Sequence, residues 1–390
     1  MPLRPPAGFI SAFYDPLEVP DAPTIGTATA GDATASVPFT APADVGGSAI
    51  TLYGAVSTPD RVTATAASSP ISVTGLTNDT AYTFAVWAIN SYGPSPFSAS
   101  SNSVTPVAII GLFAGGETYT NVIQYITIST TGNSIDFGDL TQQIGQAAGC
   151  SSSTRGLFGG GEPNTNVIDF VTFATIGNAT DFGDLLANQK TLAACSSSTR
   201  GIFAGGTAAS NVIQYVTIAS AGDATDFGDL TVGRRQLSGC SSPTRGVFGG
   251  GTDGSTLYNI IDYITIASEG NATDFGDLTD TRSSNAACSS STRGIFAGGN
   301  TGSGEASNIN YITIASTGDA TNFGNLVGTT TEAAGCSSAT RGVFGGGQGT
   351  AGGNTIQYIT INTTGNATDF GDLLSSKRFM AACSNGHGGL

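Results

Sequence analysis

The sequence predicts an all-β protein with two folded parts, a small one of short alternating strands and a larger one of six repeated units. The main indication is a stretch that recurs along the chain, most legibly as Ala193–Gly206. The glycines that mark its copies, at 111, 156, 201, 246, 294 and 342, lie 45, 45, 45, 48 and 48 residues apart. A fixed period in this range is typical of repeat architectures. The 56 glycines fall at repeat-specific positions, as turn residues of an all-β protein do.

The charge balance restricts the classes of partner. The 390 residues carry a net charge of -15, and only 11% are charged. An acidic chain without basic runs repels phosphate backbones and anionic lipid, so we expect neither nucleic acid nor a membrane surface as partner. No apolar stretch reaches the length of a membrane span. Residues 1–8 lack the continuous apolar segment of a signal peptide, so we expect no export by that route.

Six cysteines occupy the same slot of successive repeats, at 150, 195, 240, 288, 336 and 383. Side chains placed by this symmetry lie on equivalent strands, which we expect to be too far apart to form disulfides. We therefore expect reduced thiols that act as small buried apolar residues. A ring of thiolates around a metal is the alternative, but the Cys-x-x-Cys spacing of such ligands is absent. We expect no metal and no cofactor.

Residues 1–18 are too short and too rich in proline to fold alone, yet they contain Phe9, Ile10, Phe13 and Tyr14. The segment has two interpretations. It is either a frayed terminus or an extended attachment arm whose aromatic side chains dock on another subunit.

Residues 19–106 alternate in the way that short strands do. In the last long strand of this segment Tyr82, Phe84, Val86 and Ala88 fall on one face by the period of two, with Trp87 on the other. We predict a buried face and an outer face for this strand.

This segment also contains a candidate tyrosine corner. Leu76 precedes Tyr82 by six residues, the arrangement in which a tyrosine hydroxyl binds back to the loop before its strand. With Asn90–Gly93 and the closing Ser103–Pro106, the whole segment resembles a fibronectin type III domain, with Phe39 where that family usually has a core tryptophan. The resemblance implies a spacer or binding module and no chemistry.

Residues 107–390 hold the repeats, each with four predicted strands. In the third copy the predicted strands a, b, c and d are Leu192–Ser196, Gly201–Gly205, Asn211–Ile218 and Ala224–Leu230. Strand c is apolar on both faces, as a sheet covered on both sides requires, and strand a is built of small residues that fit near a crowded axis. Four strands per repeat, with a Gly-Gly pair after the second, resemble a kelch-type β-propeller, although strand d lacks the kelch tryptophan.

The strand count predicts how this propeller closes. Strands b, c and d occur six times from Gly111 onward, whereas the sixth strand a, Phe379–Ser384, stands at the end of the sequence. We expect that strand to complete the first blade and to remove an open edge. The predicted fold is therefore a fibronectin type III sandwich followed by a six-bladed kelch-like β-propeller that the C-terminal strand closes.

The sequences of the repeat motifs show a further resemblance. Thr-Arg-Gly-x-Phe-x-Gly-Gly, Asn-x-Ile-x-Tyr-Ile-Thr-Ile and Gly-Asn-Ala-Thr-Asp-Phe-Gly-Asp-Leu are similar to repeats of virion structural proteins of tailed phages, especially those of marine cyanobacteria. The resemblance implies a non-enzymatic virion protein, made in the host cytoplasm, that acts as a tail-fibre adhesin or as a head or tail decoration. Residues 1–18 would then attach it to other virion proteins, and an oligomer is compatible with this class.

The alternative is a carbohydrate-active or oxidative propeller enzyme. Such sites need several histidines or a triad, but the chain has one histidine, His387, near the end of the sequence, where we expect it to be mobile. We expect the arginines of the Thr-Arg-Gly turns to be structural and to pair with strand-d carboxylates such as Asp181 or Asp226. The Gly-Asn-Ala-Thr segments predict turns rather than calcium loops.

The candidate binding surface follows from strand direction. In a four-stranded meander the a–b and c–d turns share one rim, and here they recur nearly unchanged. The b–c and d–a loops share the other rim and differ in every copy. We expect this varied rim to contact a host-surface glycan or a neighbouring virion protein, with Tyr258 and Arg282 as anchors. The candidate residues are Tyr258, Asp253, Arg234, Arg235, Arg282, Glu332, Lys377 and Arg378. The alternative is that exposed loops simply vary without function.

Overall fold

The computed structural model describes residues 17–390, and in this part of the chain the protein is all-β, built from small antiparallel sheets. These residues contain no α-helix and one short 3-10 turn, Thr207–Ala209. The chain divides into two compact units, Met1–Ala108 and Ile109–Leu390. The proposed arm residues Phe9, Ile10, Phe13 and Tyr14 lie outside the described residues.

Unit 1 forms a three-stranded sheet (β2-β3-β7), a four-stranded sheet (β6-β5-β8-β9) and a short pair (β1-β4). Its strands are β1 (Thr24–Ile25), β2 (Thr29–Gly31), β3 (Thr34–Val37), β4 (Phe39–Thr40), β5 (Leu52–Thr58), β6 (Thr63–Ala66), β7 (Ile71–Thr74), β8 (Thr83–Asn90) and β9 (Gly93–Pro94). Side chains of both larger sheets belong to one buried apolar cluster.

The predicted tyrosine corner is present in unit 1. The Tyr82 hydroxyl accepts a hydrogen bond from the Thr77 backbone N–H at 3.1 Å and donates to Asp60 Oδ2 at 2.7 Å. The predicted alternation along β8 is confirmed, since Phe84 and Val86 are buried while Trp87 lies on the other face. Phe39 is buried against Tyr53, with ring centroids 4.5 Å apart, so it fills the core position expected of it.

Unit 2 consists of six four-stranded antiparallel sheets. Its strands are β10 (Ile110–Ala114), β11 (Thr120–Thr127), β12 (Ile135–Ile144), β13 (Ala148–Ser151), β14 (Arg155–Gly159), β15 (Thr165–Thr172), β16 (Thr180–Gln189), β17 (Ala193–Ser196), β18 (Arg200–Ala204), β19 (Val212–Thr217), β20 (Thr225–Asp229), β21 (Ser238–Ser241), β22 (Arg245–Gly249), β23 (Ile260–Thr265), β24 (Thr273–Asp277), β25 (Ala286–Ser289), β26 (Arg293–Ala297), β27 (Asn308–Thr313), β28 (Thr321–Asn325), β29 (Ala334–Ser337), β30 (Arg341–Gly345), β31 (Thr355–Thr360), β32 (Thr368–Asp372) and β33 (Ala381–Ser384).

Each sheet holds one strand of each type, in the spatial order a, b, c, d. Sheet 1 is β33-β10-β11-β12, and sheets 2 to 6 are β13–β16, β17–β20, β21–β24, β25–β28 and β29–β32. The last strand of the sequence therefore pairs with the first repeat, as expected, with Ala381 opposite Ala114 and Ser384 opposite Gly111. The four strands predicted for the third copy correspond to β17–β20.

The six a strands contact one another in a closed cycle, β33, β13, β17, β21, β25, β29 and back to β33. A ring of hydrogen bonds joins them, because the last serine of each a strand donates its hydroxyl to the carbonyl of the preceding serine in the cycle, at 2.6–2.8 Å. The serines of this ring are Ser151, Ser196, Ser241, Ser289, Ser337 and Ser384.

The invariant glycine of the Arg-Gly pair is explained by the cysteine of the preceding sheet. A Cβ added at Gly201 would lie 2.8 Å from the sulfur of Cys150, and the other five sheets repeat this contact. A side chain cannot occupy that space while the sulfur fills it. All six thiols are free and buried, as expected, and burial raises the pKa of Cys150 to about 12.

Each c–d turn also binds the neighbouring sheet. Its Asn or Asp side chain accepts a backbone N–H from strand d of the preceding sheet at 2.9–3.1 Å. The acceptors are Asn133, Asn178, Asp223, Asn271, Asp319 and Asn366. The predicted turns are therefore also joints between sheets.

The arginines of the a–b turns are structural, but the prediction that they pair with strand-d carboxylates is wrong. Arg200 stacks on the ring of Tyr215 in its own sheet, 4.4 Å from the centroid, and Nη1 donates to the Ile266 carbonyl of the next sheet at 3.1 Å. The other four a–b arginines make equivalent contacts. The carboxylates of Asp181 and Asp226 are not their partners, because strand c lies between the arginine and strand d.

We expect Gly201→Ala to lower the stability of unit 2 by about 1–3 kcal/mol, because its methyl group would overlap the Cys150 sulfur. Removing that sulfur in Cys150→Ala/Gly201→Ala should recover part of the loss, giving a coupling of about 1 kcal/mol between the two sites. Urea unfolding of the two single variants and the double variant measures this. Gly177→Ala is the matched control, because a Cβ there meets nothing within 4 Å. Additive losses would contradict the contact.

Deleting residues 379–390 should unfold or aggregate unit 2 rather than trim it. The deletion removes β33, which leaves the backbone of β10 without its partner and breaks the serine ring at Ser384. Thermal melting and light scattering measure the outcome. An unchanged melting temperature would contradict closure by this strand.

Candidate functional site

The axis between the six a strands has two different ends. The serine end is defined by the serine ring, where the a strands finish. The loop end is defined by the d–a loops, where the a strands begin. The varied b–c loops lie beside the loop end, since backbone pairs join them to the d–a loops, as at Gly145 with Glu162 and Arg235 with Thr252.

The serine end is occupied by residues 385–390 of the same chain. His387 Nε2 lies 3.0 Å from the Ser151 carbonyl oxygen and 3.2 Å from Ser196 Oγ. The Gly389 N–H donates to Nδ1 at 3.0 Å. A carbonyl oxygen only accepts, so Nε2 carries the proton and the imidazole is neutral. The expectation that His387 is mobile is therefore wrong, because both its ring nitrogens are hydrogen bonded.

The loop end is held by a second cyclic set of hydrogen bonds, made by the backbone. In each d–a loop one residue lies four positions before the cysteine, and its N–H donates to the carbonyl of the equivalent residue in the preceding loop at 2.7–2.9 Å. All six adopt the left-handed conformation, with φ of 54–63°, although none is glycine. These residues, named the loop-end ring, are Gln146, Thr191, Gln236, Ser284, Glu332 and Phe379.

A cavity of about 90 Å³ lies inside the loop-end ring. Its wall consists of the ring residues and the residue that follows each of them. The six residues that follow the ring residues are small or apolar except for Asn285. They are Ala147, Leu192, Leu237, Asn285, Ala333 and Met380. Asn285 is 5% exposed; its amide nitrogen donates to Ser238 Oγ at 2.6 Å, whereas its Oδ1 has no partner in the described chain.

Three of the predicted site residues meet beside sheet 4. Tyr258 donates its hydroxyl to Asp253 Oδ2 at 2.9 Å, while Asp253 Oδ1 accepts backbone N–H groups from Ser255 and Thr256. These hydrogen bonds lower the pKa of Asp253, and the bond to Asp253 raises the pKa of Tyr258. The exposed Arg235 pairs through its backbone with the same loop. The b–c loop therefore holds Tyr258 in one orientation at the surface.

Arg234 and Arg282 are not surface residues, so their predicted role as binding residues is wrong. Both side chains are fully buried. Arg234 Nη2 pairs with buried Asp262 at 2.5 Å, and Nη1 donates to two backbone carbonyls. Arg282 donates to backbone carbonyls in the same way and pairs with Asp280 at 3.2 Å. Both arginines tie the d–a loop to the next sheet, and neither is available as an anchor.

The remaining three predicted residues, Glu332, Lys377 and Arg378, form a second cluster. Arg378 hydrogen bonds to Glu117 and Gln348, and its Nη1 lies 3.1 Å from Glu332 Oε2. Lys377 Nζ donates to Thr118 Oγ1 at 3.3 Å. Burial, with a smaller contribution from Glu305, raises the pKa of Glu332 to about 7. This cluster joins the loops of sheets 5, 6 and 1 at the edge of the cavity.

Of the loop-end ring, only Glu332 was among the predicted site residues. A signal was present, because the position four residues before each cysteine holds five different residue types in six copies, directly before the nearly constant strand a. The same comparison of slots would not have placed Arg234 and Arg282 inside. Their slot, six residues before the cysteine, holds Ile144, Gln189, Thr330 and Lys377 in the other copies, a set without a common character.

The fold and the site define an all-β repeat protein that presents varied loops around one end of its axis. No protein-family model matches the chain, and no curated protein matches it significantly. Over residues 17–390, no group of three or more His, Cys, Asp or Glu side chains is arranged to hold a metal ion. The same residues include no helix long and apolar enough to cross a membrane.

His387 should titrate below the usual histidine pKa of about 6.5, because burial lowers its pKa and the Nδ1 acceptor site is occupied. Between the folded and the unfolded pKa the unfolded chain binds more protons. The contribution of His387 to the free energy of unfolding should therefore be fully present above pH of about 6.5. It should be lost as the pH falls from there through the lower folded-state pKa. The chain has one histidine, so a single Cε1–H NMR signal reports its titration without ambiguity.

His387→Asn is the control for that titration, since its carbonyl oxygen can still accept from the Gly389 N–H but does not titrate. We expect the loss of stability below pH of about 6.5 to be smaller in this variant than in the parent. A His387 pKa at or above that of an exposed histidine would contradict the buried neutral state.

Proposed function

We propose that unit 2 is a six-bladed kelch-like β-propeller and that unit 1 is a fibronectin type III domain. The propeller is supported by six equivalent four-stranded sheets, by the cyclic contacts of their a strands and by the pairing of β33 with β10. The type III domain is supported by the two sheets around one core and by the hydrogen bond between Tyr82 and Thr77.

We further propose that the protein is a non-enzymatic binding protein of a tailed-phage virion, either an adhesin or a head or tail decoration. One observation carries the binding role. The recurring residues of one rim are engaged in bonds between sheets, which explains their recurrence by folding alone. The loops of the other rim differ in every copy and hold exposed polar side chains on a rigid frame, as recognition loops do. The assignment to a virion rests on the resemblance of the repeat motifs.

The partner proposed for the varied rim is a host-surface glycan or a neighbouring virion protein. The revised anchors are Tyr258 and Arg235 on one side of the cavity and Arg378 on the other. Attachment to other virion proteins through Phe9, Ile10, Phe13 and Tyr14 remains a proposal. A carbohydrate-active or oxidative propeller enzyme is the less favoured alternative, since both nitrogens of the single histidine, His387, are hydrogen bonded within the chain.

We expect Arg235→Ser/Tyr258→Ala to weaken binding about tenfold or more without lowering the melting temperature. Central arginine and tyrosine side chains dominate binding energies, and these two lie on neighbouring loops, the d–a loop before sheet 4 and the b–c loop within it. Binding of the labelled protein to host cells and to arrayed bacterial surface polysaccharides measures the effect. Release of reducing sugars from the same polysaccharides tests the enzyme alternative.

The matched control is Ile176→Ala, which removes a side chain that is 65% exposed on the opposite rim. It should leave binding unchanged. Loss of binding from this control alone would place the binding surface on the rim of the a–b and c–d turns. Turnover of a polysaccharide would favour the enzyme.

A further inference from the structure

The two ends of the axis differ in how their hydrogen-bonding groups are used. At the serine end every ring hydroxyl donates to a carbonyl, and His387 hydrogen bonds to the ring beside an axial cavity of about 50 Å³. At the loop end only the backbone groups of the ring residues are hydrogen bonded to one another. The side chains of Gln146, Gln236 and Ser284 face the cavity wall with no hydrogen-bond partner among residues 17–390. Their donors and acceptors are free for a ligand.

The charges around the cavity favour a neutral ligand. Glu332 is the one acidic side chain of the loop-end ring, and Arg378 lies 3.1 Å from it. A cation is opposed by Arg378, and an anion is opposed by Glu117, which already pairs with that arginine. Glutamine amides and a serine hydroxyl both donate and accept, so the groups that match them are hydroxyls, which also do both.

The wall of the cavity is apolar behind this polar ring. Leu192, Leu237 and Met380 are buried, and Phe379 adds an aromatic ring at the rim. A pyranose combines an apolar C–H face with hydroxyl edges, so it fits both layers. The volume of about 90 Å³ is smaller than a cavity of about 150 Å³ that holds a benzene ring, so one edge of a sugar enters while the rest meets the loops.

The backbone adds an independent observation. All six residues of the loop-end ring keep φ of 54–63°, a conformation that glycine adopts at no steric cost and other residues adopt at a cost. Glycine occupies many other turns of this chain but none of these six positions. Each of these positions therefore carries a side chain at a cost in backbone strain, as eight other non-glycine residues among residues 17–390, such as Ala208, also do.

We propose that the loop-end cavity binds one neutral sugar residue, the terminal residue of a surface glycan, through Gln146, Gln236, Ser284 and the ring of Phe379. This inference rests on the proposed binding function and names its ligand class and its central subsite. The rim residues Tyr258 and Arg235 would then contact more distant parts of the same glycan.

The test uses the full-length protein and four probes: the methyl glycosides of glucose, galactose, mannose and N-acetylglucosamine. Saturation-transfer NMR detects binding, and a competition titration gives the dissociation constant. We expect at least one probe to bind. Gln236→Gly and Phe379→Gly should each weaken it about tenfold or more while melting at the same or a higher temperature, because glycine relieves the left-handed backbone.

Ala208→Gly is the matched control. Ala208 has the same left-handed conformation, with φ of 58°, in a b–c loop and does not line the cavity. It should give the same gain in stability with no change in binding. Butylammonium serves as the probe for the cationic alternative.

The outcomes separate this inference from the proposed function. Binding of butylammonium without any glycoside, or glycoside binding that survives Gln236→Gly and Phe379→Gly, would overturn the sugar subsite. If polysaccharide binding is lost only in Arg235→Ser/Tyr258→Ala and no glycoside binds, the binding function stands and the axial subsite fails. If no polysaccharide and no glycoside binds, the axial subsite and the glycan partner both fail, and the neighbouring virion protein is the partner that is left.

Discussion

Six serine hydroxyls, each bonded to the carbonyl of the serine before it, join the innermost strands of unit 2 into a closed cycle. Closure removes the open edge of β10 and lets each sheet be covered on both faces by its neighbours. Because the cycle is closed, every sheet has a neighbour on each side, and the other regular contacts of unit 2 join these neighbours. The cysteine sulfurs and the arginines of the a–b turns contact the next sheet around the cycle, whereas the Asn and Asp side chains of the c–d turns contact the preceding sheet.

These contacts between neighbouring sheets explain which residues recur. A glycine is required wherever a cysteine of the preceding sheet fills the place of a Cβ, as at Gly201. Two kinds of position vary: buried slots such as that of Asp169 and Asp262, and the loop-end ring, where the side chains of Gln146, Gln236 and Ser284 make no hydrogen bond within residues 17–390. Binding capacity therefore concentrates where the packing leaves side chains free, at the loop end and in the b–c loops beside it.

Buried polar groups at the boundaries between sheets serve the frame rather than a ligand. The Arg234–Asp262 pair has no exposed surface, and burial lowers the pKa of the arginine against the opposing effect of Asp262. Asp169 occupies the slot of Asp262 but accepts hydrogen bonds from Thr141, and burial raises its pKa. Arg234 and Arg235 are adjacent in sequence and have opposite exposures, since Arg234 is buried and Arg235 is exposed.

The repeat period, the four strands per copy, the closing strand and the alternation along β8 were all readable from the sequence, because they depend on local periodicity and on counting. The partners of Arg200, the burial of Arg282, the fixed imidazole of His387 and the loop-end ring were not, because they depend on which sheet comes next around the axis. One further pattern is visible in the sequence, but its cause is visible only in the structure. The residue before the cysteine alternates between glycine and alanine, and only the packing gives the reason: a Cβ at Gly149 would lie 2.5 Å from the Ala382 carbonyl oxygen of the preceding sheet.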